Sequence, residues 1–148
     1  MEQAMRTYEA AFQGYEFSTD KHRLDFDTVF HFLSHSYWGG NLTEDALRIS
    51  IEGSICAGVY HAGQQVGFAR VITDGARFAY LADVFILAEH RGKGLSKFLM
   101  QFLLQIEGLQ NAKWMLATAD AHGLYSQYGF TPLPEPEKYM VRMPEASR

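Results

Sequence analysis

Cysteine is almost absent from this chain. Cys56 is the only one in 148 residues, so no internal disulfide can form and a cysteine-built zinc site is excluded. Within the apolar run Ile55-Cys56-Ala57 it reads as a small core residue. No run is long and apolar enough to span a bilayer, so no membrane partner is expected. The opening Met1-Glu2-Gln3-Ala4-Met5-Arg6 lacks the basic-then-apolar order of a secretory signal, and a cytoplasmic protein is expected. An excess of positive charge is missing as well. The net charge of −4 argues against broad nucleic-acid binding, while leaving room for a local basic pocket. Long linkers, repeats and low-complexity tracts are also lacking. With 47% hydrophobic and 20% charged residues, 1–148 is expected to fold as a single domain.

The six histidines do not make a metal set. His31 and His35 are spaced i, i+4, yet no third ligand accompanies them, and no metal is expected.

What is present is an ordered series of amphipathic segments. Tyr15 to Thr19 alternates weakly as a first strand. Asp27 to Tyr37 reads as a helix with Asp27 as N-cap, stopped by Gly39-Gly40. Thr43 caps a second helix that ends near Gly53. Ile55 to His61, Gln65 to Thr73 and Arg77 to Leu87 read as an antiparallel meander turning at Ala62-Gly63-Gln64 and Asp74-Gly75. Leu95, Phe98, Leu99, Phe102, Leu103 and Ile106 mark a strongly amphipathic helix. Trp114 to Thr118 is a strand, His122 to Tyr128 a short helix, and Tyr139 to Met143 a last strand. A strand–helix–strand unit beside antiparallel strands implies an α/β fold, with a mixed, mainly antiparallel sheet and flanking helices.

The strongest chemical signal lies between the third meander strand and the amphipathic helix. Arg91-Gly92-Lys93-Gly94-Leu95-Ser96 puts glycines and cations at a helix start. Such a start presents unpaired N–H groups and a positive dipole end to an anion. Glycine lets the backbone approach a phosphate closely. Arg91, Lys93 and Lys97 add three positive charges, and no acidic residue occurs from His90 to Ile106. A Walker loop needs four residues between its glycines, and a Rossmann fingerprint would need a glycine where Lys97 stands, so neither fits.

These residues resemble the GNAT superfamily of acetyl-CoA-dependent N-acetyltransferases. Its Arg/Gln-x-x-Gly-x-Gly/Ala loop is matched by Arg91-x-x-Gly94-x-Ser96, with Ser96 in place of the last small residue. Downstream, Ala121-His122-Gly123-Leu124-Tyr125-Ser126-Gln127-Tyr128-Gly129-Phe130 resembles the family's Ala-x-x-Leu-Tyr-x-x-x-Gly-Phe segment. The asparagine often found before that alanine is absent here, where the chain reads Thr118-Ala119-Asp120.

The resemblance implies acetyl-CoA as co-substrate. Its pantetheine arm would lie along Val84, Phe85 and Ile86, and its pyrophosphate over Arg91, Gly92, Lys93, Gly94, Leu95 and Ser96. It also implies direct attack by a primary amine, with Tyr125 as general acid. Asp83, an acid amid Leu81-Ala82-Val84-Phe85, is a candidate base; by alternation it shares a face with Leu81 and Phe85. The open alternatives are a paired structural role for Asp83, Asp120 or His122 as base, or an ordered water. Tyr37, Arg70, Tyr80 and Asp120 are candidate walls of the acceptor pocket, with a small-molecule amine expected there. Other readings are a protein or peptide acetyltransferase and a non-catalytic acyl-CoA sensor. A monomer or homodimer is expected.

Overall fold

The computed structural model of the chain describes residues 6–36 and 41–145. The chain divides into two units, Met1–Ala117 and Thr118–Arg148. The first holds a six-stranded sheet in the order β1 (Glu9–Phe12), β2 (Tyr15–Ser18), β3 (Ile55–His61), β4 (Gln64–Thr73), β5 (Phe78–Ile86) and β6 (Lys113–Leu116). Successive strands pair antiparallel up to β5, and β6 joins β5 in parallel. A parallel neighbour needs a crossover, which is supplied by helix α3 (Leu95–Leu104). This is the mixed sheet that the segment order implies.

The first hairpin escapes the sequence pattern. Gln13 and Gly14 both take positive φ, 51° and 85°, which folds β1 back on β2. Helix α1 (Phe26–Ser34) begins two residues earlier than expected. Its N-cap is Asp25, whose carboxylate accepts the Thr28 N–H, not Asp27. The buried Gln65 decides the choice, because its Oε1 accepts the Asp25 N–H at 2.7 Å and ties the helix start to β4. Helix α2 (Glu44–Glu52) starts as expected, with Thr43 Oγ1 accepting the Ala46 N–H.

The helices cover opposite faces of the sheet. Val29 and Leu33 of α1 and Leu47 of α2 pack with Cys56, Phe68 and Phe85. On the other face Phe17 meets Phe98 and Phe102 of α3, at ring-centroid separations of 4.8 and 6.0 Å. α3 buries Leu95, Leu99, Met100, Phe102 and Leu103. Burying each such side chain stabilises the fold by about 1.5–3 kcal/mol against exposure, so this layer fixes where the α3 N-terminus lies.

The second unit contains α4 (His122–Ser126) and a 3₁₀ turn at Pro136–Lys138. The last strand expected at Tyr139 to Met143 does not form: no strand occurs among the described residues 118–145. Met140 is 97% exposed and Val141 81%. Alternation gives a segment a face, but a strand also needs a partner's backbone groups.

Candidate functional site

β5 has a partner on both edges for only part of its length. On the β6 side the register runs from Phe78↔Lys113 to Leu81↔Leu116 and goes no further. On the β4 side pairing continues to Gly67↔Ile86. The β6-side edge of residues 82–86 is therefore without a strand among the described residues. Extended backbone with an unpaired edge can take an amide-bearing chain as an added strand. Val84, Phe85 and Ile86 lie in that stretch. Phe85 and Ile86 are buried, so their side chains serve the core and only their backbone is available to a ligand.

A bulge interrupts the same stretch. Arg70 pairs with Ala82 and Phe68 with Phe85, so two residues of β5, Asp83 and Val84, oppose the single Ala69. Asp83 takes φ 56°. The bulge overturns the expected alternation. Leu81 lies opposite Val71 and Phe85 opposite Phe68. Val71 and Phe68 are three apart on β4 and point to opposite faces, so Leu81 and Phe85 do as well.

The structure brings Asp83 and Arg70 together. Arg70 Nε donates to Asp83 Oδ2 at 2.8 Å, and Arg70 Nη1 donates to Ser54 Oγ at 3.0 Å. The two side chains are 15% and 18% exposed. A base candidate and an acceptor-wall candidate thus form one partly buried ion pair, and Ser54 joins it unforeseen. Tyr80 lies opposite Ile72 on one side and Met115 on the other, and is half-buried. Tyr37 lies outside the described residues, as do Trp38 and the Gly39-Gly40 stop.

Past β5, the Leu87 N–H donates to Val66 O and a 3₁₀ turn spans Ala88–His90. Arg91 then folds back, its Nε donating to Ile86 O at 2.8 Å. Gly92 and Gly94 take φ of 77° and 80°. L-residues avoid this region, so these two positions explain the glycines of the loop. Gly94 is the N-cap of α3 and offers no side-chain acceptor, and the first turn of the helix has no acidic residue. Arg91, Lys93 and Lys97 are exposed, Ser96 is half-buried and Leu95 is 2% exposed. Leu95 therefore contributes its backbone and anchors the helix through its side chain. An uncapped helix start with glycine at its mouth and cations around it fits a phosphate-bearing ligand.

In the second unit Tyr125 is buried on α4, its ring 5.8 Å from Phe130. Gly129, at φ 91°, turns the chain so that the Phe130 N–H donates to Tyr125 O. Burial, and secondarily the negative charge of Asp120, raise the Tyr125 phenol above its ordinary value. It is therefore protonated at neutral pH and can donate. Asp120 is exposed, and its N–H donates to Thr118 Oγ1. The rings of His31 and the C-cap His35 lie tilted 4.4 Å apart at the end of α1, and no metal-holding group of three occurs among the described residues. No helix among them is long and apolar enough to cross a membrane.

An open strand edge thus leads into an uncapped, cationic helix start, an arrangement with the chemistry to take an extended ligand that carries amides and phosphates. Comparison with known proteins narrows the class. Residues 52–132 match the family model described as an acetyltransferase (GNAT) domain. A protein of Gibberella zeae that bears an acetyltransferase name is 34% identical, the alignment covering 76% of each chain. The crystal structure of a GNAT-family protein from Xanthomonas campestris pv. campestris is 43% identical, with a TM-score of 0.86 over 90% of this chain and 95% of that one. The fold recurs at 19% identity in a protein from Deinococcus radiodurans R1, with a TM-score of 0.68 over 90% and 91% of the two chains. The chain belongs to the GNAT acetyltransferase family.

Proposed function

We propose that the chain, acting as one domain over 1–148, is a cytoplasmic N-acetyltransferase that moves an acetyl group from acetyl-CoA to a primary amine of a small-molecule acceptor. The observation that carries this reading is the β5 edge at residues 82–86, which no strand covers among the described residues and where Arg91 Nε donates to Ile86 O, leading into the Arg91–Ser96 loop. The edge suits the pantetheine amides and the loop suits the pyrophosphate. Acetyl-CoA supplies an activated thioester carbonyl, which the neutral amine attacks directly.

The chain's own groups do the rest. Backbone N–H groups around Gly92 to Ser96, with Arg91 and Lys93, hold negative charge. Tyr125, protonated at neutral pH, gives a proton to the departing thiolate. Asp83, held by Arg70 and lying within the open stretch, takes the proton released by the amine, directly or through water. Tyr80, Arg70, Asp120 and Tyr37 are the proposed acceptor walls, and the enzyme works as a monomer or homodimer without metal.

Thiol release from acetyl-CoA across a panel of amines, amino acids and peptides tests the reading. Release should depend on a small amine. Tyr125→Phe should lower turnover by about 10²-fold, as loss of a general acid does, and change coenzyme A affinity by less than about 3-fold. Tight coenzyme A binding with no release for any amine would identify a non-catalytic module.

A further inference from the structure

Three aromatic side chains meet just before the phosphate loop, and none has a part in the chemistry above. Tyr15 of β2 is 6% exposed, and its hydroxyl lies 2.8 Å from His90 Nδ1. His61, the last residue of β3, packs tilted against Tyr15 at 4.6 Å between ring centroids, and its ring lies 5.4 Å from that of His90. His90 is the residue before Arg91. Its N–H donates to Leu87 O, which closes the turn that launches the loop. Tyr15 and His61 face His90 from the sheet; Glu89, Arg91 and Lys93 are its neighbours along the chain.

We infer that His90 is a proton-coupled part of the phosphate site. Binding of a pyrophosphate diester at Arg91–Ser96 draws up to one proton from solvent onto the His90 imidazole. Tyr15 is the positioning residue. The inference rests on the reading of that loop as a pyrophosphate site.

A phenol hydroxyl can donate to a bare Nδ1 and can accept from a protonated one. The Tyr15–His90 bond therefore persists in either state, and His90 gains charge without losing its partner. Imidazole is the side chain whose charge ordinarily changes near neutrality. A diester pyrophosphate brings two negative charges to the loop that starts at the next residue, Arg91, and negative charge nearby favours the imidazolium. His61 sets a limit. Two imidazolium rings at 5.4 Å repel, so the pair takes up one proton and not two.

Dephospho-coenzyme A is the probe, because its pyrophosphate is a diester with no ionisation between about pH 6 and 7.5, unlike a terminal phosphate with a pKa near 6. Calorimetry in two buffers of different ionisation enthalpy counts protons taken up on binding. Near pH 7 the wild type should take up a measurable fraction of one proton, on the order of half, as the charging of one imidazole allows. His90→Gln should still bind, with uptake near zero. His61→Gln should keep the uptake, and Tyr15→Phe should lower it. In the wild type the titration midpoint of the His90 Cε1–H resonance should rise by about half a unit or more with the probe, a readout that does not depend on any variant folding. Binding with unchanged uptake in His90→Gln, or with a His90 midpoint that the probe does not move, overturns the inference alone. Unchanged uptake in Tyr15→Phe removes the part given to Tyr15. No binding at any pH overturns the loop assignment and the inference together.

Discussion

The Arg70–Asp83 pair can be taken apart so that its structural and chemical tasks separate. Nε and Oδ2 are 2.8 Å apart, and both side chains are less than one-fifth exposed. At an effective dielectric near 20, two charges about 4 Å apart attract by about 4 kcal/mol before desolvation is subtracted. Removing either partner should then cost about 2–4 kcal/mol, since the other charge is left partly buried and unpaired. Asp83→Asn is the cleanest change, because asparagine tolerates the φ of 56° that Asp83 adopts. Asp83→Ala should lose about 1 kcal/mol more, the cost of a left-handed conformation without a compensating side chain. Urea denaturation of Arg70→Met, Asp83→Asn and the double variant should give a coupling energy of about 1–3 kcal/mol at constant m-value. Turnover, measured well below each melting point, then distinguishes the two members. Asp83→Asn removes the proposed proton acceptor and should lower kcat by at least about 10²-fold, whereas Arg70→Met leaves a carboxylate in place and should lower it less. Coupling below about 0.5 kcal/mol would refute the pair as the clamp on the bulge. Equal loss of kcat in the two single variants would show that Asp83 acts through structure alone.

The remaining expectations concern the loop and the core. Arg91→Ala with Lys93→Ala should weaken coenzyme A binding by at least about 10²-fold at low salt, the effect of two charge-assisted contacts at about 1.5 kcal/mol or more each. It should also flatten the salt dependence; binding that keeps its strength and salt slope would remove the phosphate assignment. Tyr60→Phe should stabilise the fold by about 1 kcal/mol in urea, because the buried Tyr60 hydroxyl has no hydrogen-bond partner among the described residues. A destabilised variant would reveal a partner for that hydroxyl. Burial pushes the Cys56 thiol up to about 11 from 9.0 and the Tyr60 phenol up to about 12 from 10.0. The folded state thus holds these protons more tightly than the unfolded chain. Their contribution is fully present below pH 9 and is lost as pH rises through 11 and 12, at about 2–3 kcal/mol for each group. Melting temperature against pH should show that fall, and Tyr60→Phe should remove the later part; a flat profile up to pH 12 would sink the argument.

The parts of the fold set by local pattern were legible in the sequence. The 3.6-residue period of Leu95 to Ile106 marks α3, and glycines amid cations mark the loop, because conformation and charge there are properties of the residues themselves. β3 occupies the expected Ile55 to His61 span. What escaped depends on partners remote along the chain. Asp25 and Asp27 cap a helix equally well on paper, and Gln65, forty positions away, selects Asp25. Tyr139 to Met143 alternates like a strand but finds no ladder. The unpaired edge of β5 is invisible in the composition of Ala82 to Ile86; it exists because β6 ends its pairing at Leu116. Tyr15, His61 and His90 are dispersed along the chain and meet only when β2, β3 and the turn after β5 are assembled.

Two left-handed backbone features shape the site, and the chain sustains them differently. At Gly92 and Gly94 the residue type removes the steric conflict, so the loop needs no further support. At Asp83 a side chain is present, and the left-handed conformation costs roughly 1–2 kcal/mol. A glycine there would relieve that cost but leave Arg70 without its carboxylate. The partly buried ion pair, with Ser54 bound to the same guanidinium, holds Asp83 in that conformation against the strain. Asp83, Arg70 and Ser54 are therefore one unit: the bulge aims the carboxylate at the guanidinium, and the guanidinium holds the bulge. Because the bulge also lies in the stretch of β5 that no strand covers among the described residues, loss of either charge should disturb the backbone of that edge as well as the stability of the fold.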